Sequence, residues 1–299
     1  MTVWVTGSAG MLGTEVVASL QHAGLTVLAT DREVDITDKH VVSDYWDAAD
    51  GIDWVVNCAA YTAVDKAEQE EEAAMRLNSL GPEVLAHEAN RRSASLVHIS
   101  TDYVFDGRSD RPYLPDDEPN PQSAYGRTKL GGERAVSRAL VRHVVVRTAW
   151  LYGPAGKNFV YTMLRLMRER DAINVVSDQR GAPTYAPDLA GAILSIITHS
   201  RPSYGTYHFT NSGETSWHGF AERIYEEARR LALVETDCAI NPIGTDQYPT
   251  PAKRPAYSVL DLSLIEDAFG VRAPLWQDGL ERFLEHLAGD QELSRSRAE

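Results

Sequence analysis

The chain predicts an α/β fold, a doubly wound parallel sheet with a smaller mixed α/β lobe at its C-terminal end. Three features point there. Short apolar runs alternate with longer helix-like stretches through the first half, a glycine-rich turn joins the first run to the first helix, and the alternation loosens after Tyr152.

The runs lie at residues 3–5, 26–30, 54–57, 96–99 and 144–147, each short, bounded and rich in β-branched residues, as buried parallel strands are. Between them fall helical patterns at 11–23, at 64–92 with a division at Gly81-Pro82, and at 124–140. Beyond Tyr152 the pattern reads helix at 159–169, strand at 173–176, helix at 188–197, strand at 206–209, then helices at 216–232 and 275–288. Pro242, Pro249, Pro251 and Pro255 mark an irregular connection between the last two helices. Residues 1–152 therefore read as one domain and 153–288 as mainly a second lobe. The strand at 173 and the helix at 188 are candidates to return to the main sheet. Residues 289–299 read as a polar, frayed tail.

Composition narrows the classes. With 299 residues, 43% hydrophobic and 24% charged, the chain can bury one large core with an appended lobe. A net charge of -14 argues against nucleic acid as a partner, since phosphate neutralisation needs a basic face. No apolar stretch is long enough to span a bilayer, and the N-terminus lacks the regions of a signal peptide, so no membrane role is expected. Two cysteines, Cys58 and Cys238, rule out a disulfide framework and suit a reducing cytoplasm.

The turn Thr6-Gly7-Ser8-Ala9-Gly10-Met11-Leu12-Gly13 sits between strand and helix, the context of a dinucleotide-binding, Rossmann-type fingerprint. Gly7 permits the tight turn, Gly10 lets backbone approach a pyrophosphate, Gly13 permits close helix packing, and Met11 and Leu12 complete the loop. Asp31 ends the second strand where a carboxylate reaches the adenosine ribose. Arg32 beside it suits a 2′-phosphate, so NADH and NADPH both remain open; Asp35 and Ile36 follow on the same side. The third strand runs out through Ala60, Tyr61 and Thr62, and the small residues before them suit close passage of a cofactor. Cys58 reads as buried structure, because no cation adjoins it in sequence.

Tyr125 and Lys129, four apart on a helix, project from one face. An ammonium beside a phenol favours phenolate, which predicts a lowered Tyr125 pKa and an acid or base usable near neutrality. Ser100 and Thr101 end the fourth strand; the pleat turns only one hydroxyl toward a carbonyl oxygen in the site. The long Pro- and Gly-rich loop at 102–123 follows that strand end, where irregular loops carry function.

These residues carry a resemblance. Thr-Gly-x-x-Gly-x-x-Gly, Ser-Thr-Asp-Tyr-Val-Phe-Asp-Gly and Tyr-Gly-x-x-Lys-Leu-x-Gly-Glu resemble the extended short-chain dehydrogenase/reductases and, within them, the dTDP-4-dehydrorhamnose reductase family. The match extends to the segments at 57–68, 147–153, 178–184 and 254–258. It implies Thr101 as the hydroxyl partner, Tyr125 as proton donor and Lys129 as the lysine of a triad. It also implies that Asp102, Tyr103 and Trp150 line a sugar-nucleotide pocket. Trp150 has its own rationale, since an indole at a strand end can pack on a sugar or base. The implied reaction is NAD(P)H-dependent reduction of the C4 ketone of dTDP-4-dehydro-β-L-rhamnose, by a monomer or homodimer acting on a dTDP-sugar. A related 4-ketoreductase making another deoxysugar, or a non-catalytic regulatory subunit on the same fold, are the alternatives.

Arg180, Arg254 and Lys157 are candidate cations for the substrate's pyrophosphate, against ordinary surface ion pairs. Some family members are bridged by a metal through glutamates. Glu15 matches the first, but Ala186-Pro187-Asp188 stands where the second belongs, so no metal is expected and Glu15 reads as solvated. His98 reads as a strand residue, and the acidic run Glu68-Gln69-Glu70-Glu71-Glu72 as a solvated face.

Overall fold

The computed structural model describes residues 1–49 and 51–296. Its main sheet contains β1 (Thr2–Thr6), β2 (Thr26–Thr30), β3 (Ile52–Asn57), β4 (Ser95–Thr101), β5 (His143–Thr148) and β6 (Gly205–His208). They lie in the order β6-β5-β4-β3-β1-β2, all parallel. The helices are α1 (Met11–His22), α2 (Lys39–Ala48), α3 (Gly81–Arg91), α4 (Ala124–Ala139), α5 (Phe159–Glu169), α6 (Ala186–Thr198), α7 (Trp217–Arg230), α8 (Ser263–Phe269) and α9 (Trp276–Ser296).

Alternation along β1 sets the layers. Val3 and Val5 face a core built with Leu12, Val16 and Leu20 of α1 and Leu189, Ile193 and Ile196 of α6. Trp4 between them faces the opposite core, with Val42 and Trp46 of α2, Leu85 of α3 and Val136 of α4. A separate core in the second lobe packs Met163, Phe220, Ile224, Leu280 and Phe283.

Of the two elements named as candidates to return to the main sheet, the strand at 173 does not, while Leu189, Ile193 and Ile196 of α6 pack with Val3 and Val5 of β1. Ala172–Val176 pairs in parallel with Ala239–Ile243 as a separate two-stranded sheet, and the strand that joins β5 is β6. Helix α2 escaped the sequence reading, although its signals were present. Asp38 caps it, accepting from His40 N at 2.8 Å, and Val42 and Trp46 recur at helical spacing on its buried side.

The division expected at Gly81-Pro82 is a continuation instead. Glu71–Met75 runs through a π-helical turn, Arg76–Leu80, straight into α3. Pro82 has no N–H to give to the preceding turn, and the wider turn absorbs that loss without breaking the helix. The tail expected to fray at 289 continues α9 to Ser296; residues 297–299 lie outside the described residues.

Candidate active site

A cavity of about 870 Å³ follows the carboxyl edge of the sheet from the glycine loop to Trp150. At its first end the glycines are required sterically. Gly7 has φ 67°, and a Cβ there would lie 2.6 Å from Ala59 N; one on Gly13 would lie 2.1 Å from Gly7 O. Gly10 caps α1 without a side-chain hydrogen bond, leaving the first-turn amides of a twelve-residue helix open to an anion. Met11, Leu12, Asp31, Arg32, Asp35 and Ile36 complete this end. Arg32 is exposed and, among the described residues, pairs with no carboxylate. Asp35 is held below the usual carboxylate range, first by hydrogen bonds from Thr37, with Arg76 adding to the effect.

Ala60 and Thr62 line the cavity, whereas Tyr61 does not. Its hydroxyl donates to Glu70 at 2.5 Å, and its backbone N–H to Asn78 Oδ1 at 2.7 Å, so the ring turns aside.

At the other end β4 delivers both hydroxyls, and the pleat separates them. Ser100 Oγ donates to Glu133 Oε1 at 2.5 Å, while Thr101 Oγ1 donates to Asp102 Oδ1 at 2.9 Å and accepts from Tyr103 N at 3.3 Å. Helix α4 starts where Ser123 Oγ accepts from Gly126 N at 3.2 Å. Gly126 lets this first turn press on the turn at Asp102–Val104, since a Cβ there would meet Tyr103 O at 2.2 Å. The acidic run is docked here at two positions, while Gln69, Glu70 and Glu72 stay exposed. Glu68 accepts from Ala124 N at 2.8 Å, and Glu71 pairs with Arg127 at 2.9 Å.

Thr101, Tyr125 and Lys129 all line the cavity. Lys129 is buried, and its Nζ donates to Ile99 O at 2.6 Å. Burial lowers its pKa to about 8, opposed by Glu133 and then Cys58. Tyr125 moves opposite to the sequence expectation: burial, helped by the Asp102 carboxylate, pushes it up to about 12, opposed by Thr101. The physical reason is that the Lys129 ammonium is spent on the Ile99 carbonyl while the phenol is desolvated beside a carboxylate. A phenol that stays neutral is the form a proton donor needs. Asp102 is itself raised to about 6 by burial, and its Oδ2 has no partner among the described residues. Cys58 is partly exposed on the cavity wall, and desolvation there pushes its thiol up to about 12, which keeps it protonated.

Trp150 borders the cavity, with one indole face covered and Gly181 pressed against the ring. Trp217 stacks on one side with centroids 3.7 Å apart and planes at 12°, and a Cβ on Gly181 would lie 2.6 Å from Trp150 Cε2. Trp150 itself sits at φ 48°, a strained conformation for a bulky residue. It offers the site an edge, not the free stacking face the sequence suggested. Tyr103 lies between the two ends of the substrate side, edge-on to Tyr125 at 5.5 Å.

The three cations separate. Lys157 lines the main cavity, whereas Arg180 and Arg254 do not. Arg180 is exposed and paired with Glu214. Arg254 donates to Asp65 at 2.7 Å, lies 5.9 Å from the Tyr103 ring centre, and borders a second cavity of about 450 Å³ with Asp178, Thr245 and Lys253. Among the described residues no cluster of three His, Cys, Asp or Glu side chains is placed to hold a metal. Glu15 is half-buried, its carboxyl raised by burial and opposed by His286, and Asp188 is engaged by Arg282 at 2.7 Å. His98 is a buried strand residue kept neutral by burial, with Nδ1 3.1 Å from Asn57 Nδ2.

Sequence reasoning missed Glu133, Arg147, Trp217 and Ser258. Glu133 had a signal, standing four residues after Lys129 on the same helix face; so had Arg147, a charge in the otherwise apolar β5. Trp217 and Ser258 had none, because long-range folding alone brings them to Trp150 and Asp102.

The sequence and the fold recur in known proteins. A family model described as the RmlD substrate binding domain matches residues 1–288. The dTDP-4-dehydrorhamnose reductase of Aggregatibacter actinomycetemcomitans is 41% identical over 93% of this chain and 96% of its own. That of Mycolicibacterium smegmatis is 43% identical over 95% of this chain and 85% of its own. Among solved structures, a dTDP-4-dehydrorhamnose reductase from Clostridium acetobutylicum superposes with TM-score 0.90 at 41% identity, covering 96% of this chain and 99% of that one. The Bacillus anthracis enzyme in complex with NADP superposes with TM-score 0.89 at 37% identity, covering 95% and 99%. With a family model spanning nearly its whole length and relatives above 40% identity, the chain belongs to the RmlD, or dTDP-4-dehydrorhamnose reductase, family.

Proposed function

We propose that the protein reduces the C4 ketone of dTDP-4-dehydro-β-L-rhamnose to the alcohol of dTDP-β-L-rhamnose, using NADPH or NADH. The single observation that carries this reading is the convergence of Thr101, Tyr125 and Lys129 on one cavity whose far end is a glycine-lined helix N-terminus. The site fits a dinucleotide. The uncapped first turn of α1 receives the pyrophosphate, Asp31 and Arg32 the adenosine ribose and any 2′-phosphate, and Lys129 the nicotinamide ribose. Bound there, a reduced nicotinamide supplies the hydride.

The chain's own residues supply position and a proton. Thr101 and Tyr125 line the same cavity wall, where the ketone oxygen would sit within reach of both hydroxyls. Tyr125 gives its proton to that oxygen as it becomes an alkoxide, and Thr101 steadies the developing charge. Lys129, as an ammonium, holds the local potential positive while Tyr125 is a phenolate. Asp102, whose Oδ2 has no partner among the described residues, accepts from a sugar hydroxyl, Tyr103 and the edge of Trp150 flank the sugar, and Arg254 and Arg180 would have to leave Asp65 and Glu214 to reach the pyrophosphate. The described residues include no helix long and apolar enough to cross a membrane; we place the reaction in the cytoplasm, where the two free cysteines stay reduced, with a monomer or homodimer as the working form.

The test follows loss of reduced-nicotinamide absorbance with NADPH and NADH separately, on ketone generated in situ by the upstream dehydratase and epimerase. Ketone-dependent oxidation that disappears in Tyr125→Phe supports the reading. Cofactor binding without oxidation overturns it, and product analysis by NMR identifies the alcohol formed.

A further inference from the structure

Beneath the Thr101, Tyr125 and Lys129 group lies a buried set of charges for which the reaction gives no direct use. Arg147 of β5 donates through Nε to Glu133 Oε1 at 2.9 Å and through Nη2 to Oε2 at 2.7 Å. The two side chains are 5% and 6% exposed. Ser100 donates to the same Oε1, and the remaining Arg147 Nη1 reaches Pro115 O at 3.1 Å, with the guanidinium 5.0 Å from the Phe105 ring centre. One carboxylate thus joins the strand that carries Thr101, the helix that carries Tyr125 and Lys129, and the neighbouring strand. Stability alone is a weak reason for such an arrangement, because apolar replacement of a buried ion pair is often neutral or better.

Lys129 shows a different need. It is 2% exposed, and its ammonium has a single hydrogen-bond acceptor, the Ile99 carbonyl. Among the described residues no carboxylate lies within ion-pair distance of it. The titratable groups around it are Tyr125 and Glu133 on its own helix, Cys58 at the end of β3 and His98 on β4, with Asp102 beyond Tyr125 and Arg147 beyond Glu133. Cys58, Tyr125 and His98 are all held neutral by burial. Glu133, one helical turn from Lys129, is left as the nearest negative charge on its own helix.

We propose that Glu133, held by Arg147 and Ser100, is a positioning residue that keeps Lys129 in its ammonium form and so fixes the upper end of the enzyme's working pH range. The proposal rests on the catalytic reading above. Its support is geometric: Glu133 stands one helical turn from the buried Lys129 and is fixed there by Arg147 and Ser100, and of the influences opposing the burial of Lys129 it is also the largest.

The experiment compares four full-length proteins from pH 6 to 9.5 at saturating NADPH and ketone: native, Glu133→Asp, Glu133→Gln, and Glu133→Gln combined with Arg147→Met. NADPH binding is measured in parallel by fluorescence without ketone. The native basic limb is expected near pH 8. Loss of the carboxylate charge moves it down by about one unit, so Glu133→Gln loses roughly five-fold in kcat at pH 8 and less than about two-fold at pH 6, while the double variant, which also loses the more distant Arg147 cation, shifts in the same direction by less. Their NADPH Kd rises more steeply between pH 6 and 8 than the native value, because a neutral amine grips the ribose less well. Glu133→Asp, which keeps the charge, retains the native limb.

The double variant separates positioning from structure. Glu133→Gln alone strands the Arg147 charge and can fail to fold for that reason, whereas the double variant removes both charges together. A double variant with the native limb and native Kd profile overturns the proposal, as does Glu133→Asp with a limb shifted as far as that of Glu133→Gln. If the native protein binds NADPH yet oxidises none, the reductase reading has failed, and the Kd profiles still decide the role of Glu133.

Discussion

Replacing Lys129 by methionine will abolish turnover and make the protein more stable. The amine has an ordinary pKa of 10.5 and one of about 8 in the fold, a depression of roughly two and a half units caused first by burial. At about 1.4 kcal/mol per unit, the folded state carries a cost of about 3 kcal/mol whenever this group is protonated. Methionine has similar length and no charge to desolvate. It loses the hydrogen bond to Ile99 O, about 1 kcal/mol, which leaves a gain of about 2 kcal/mol. For a chain of 299 residues that is a rise in Tm of about 3 °C. The sign with pH is fixed. Below pH 8 the native amine is charged in both states and the cost is fully present; above 10.5 it is neutral in both and the cost vanishes. The advantage of Lys129→Met therefore shrinks between pH 8 and 10.5. Scanning calorimetry of both proteins at pH 7 and pH 10 measures it. A variant less stable than native at pH 7, or a difference that does not change with pH, would refute the reasoning.

Four further outcomes follow from the geometry. Tyr125→Phe should lower turnover by about 10²- to 10⁴-fold with NADPH affinity unchanged, read by steady-state kinetics and fluorescence titration. Gly13→Ala should abolish cofactor binding, since its Cβ would sit 2.1 Å from Gly7 O and displace the loop; a native Kd contradicts this. Ser123→Ala removes the cap of α4 and should cost about 1 kcal/mol, visible as a small fall in denaturation midpoint. Arg147→Met alone leaves Glu133 charged and unpaired in the interior and should cost about 3 to 5 kcal/mol, against a much smaller loss when Glu133→Gln accompanies it.

The glycine loop and the Tyr125–Lys129 spacing were legible because each is a local pattern: one turn of backbone, one turn of helix. So were β1 to β5, whose apolar runs have no other reading. What escaped depends on distance along the chain. Glu133 alone reads as an ordinary helix glutamate, and only Arg147 and Ser100, brought in from other strands, reveal a buried charge. The Trp150 indole was visible, but the Trp217 ring that covers it comes from the second lobe. The pKa direction of Tyr125 was misjudged for a related reason. Sequence spacing shows that an ammonium is near; it does not show that the ammonium points at Ile99 O or that Asp102 lies on the other side. The strand at 173 pairs with 239–243, far along the chain, and the edge of β5 is taken by β6; each segment reads as a strand on its own, but neither carries the identity of its partner.

The place of β6 in the chain governs how the molecule can be made. During synthesis β1 to β5 emerge first, and β5 then presents Val144, Val145 and Val146 along an unpaired edge, with α6, which covers Val144 and Val146, still to come. Such an edge invites pairing with another nascent chain until Gly205–His208 arrives to close it. A fragment cut at Tyr152 would keep every glycine of the cofactor loop and all of Thr101, Tyr125 and Lys129, yet would leave that edge permanently open. The residues before 152, made on their own, should therefore aggregate.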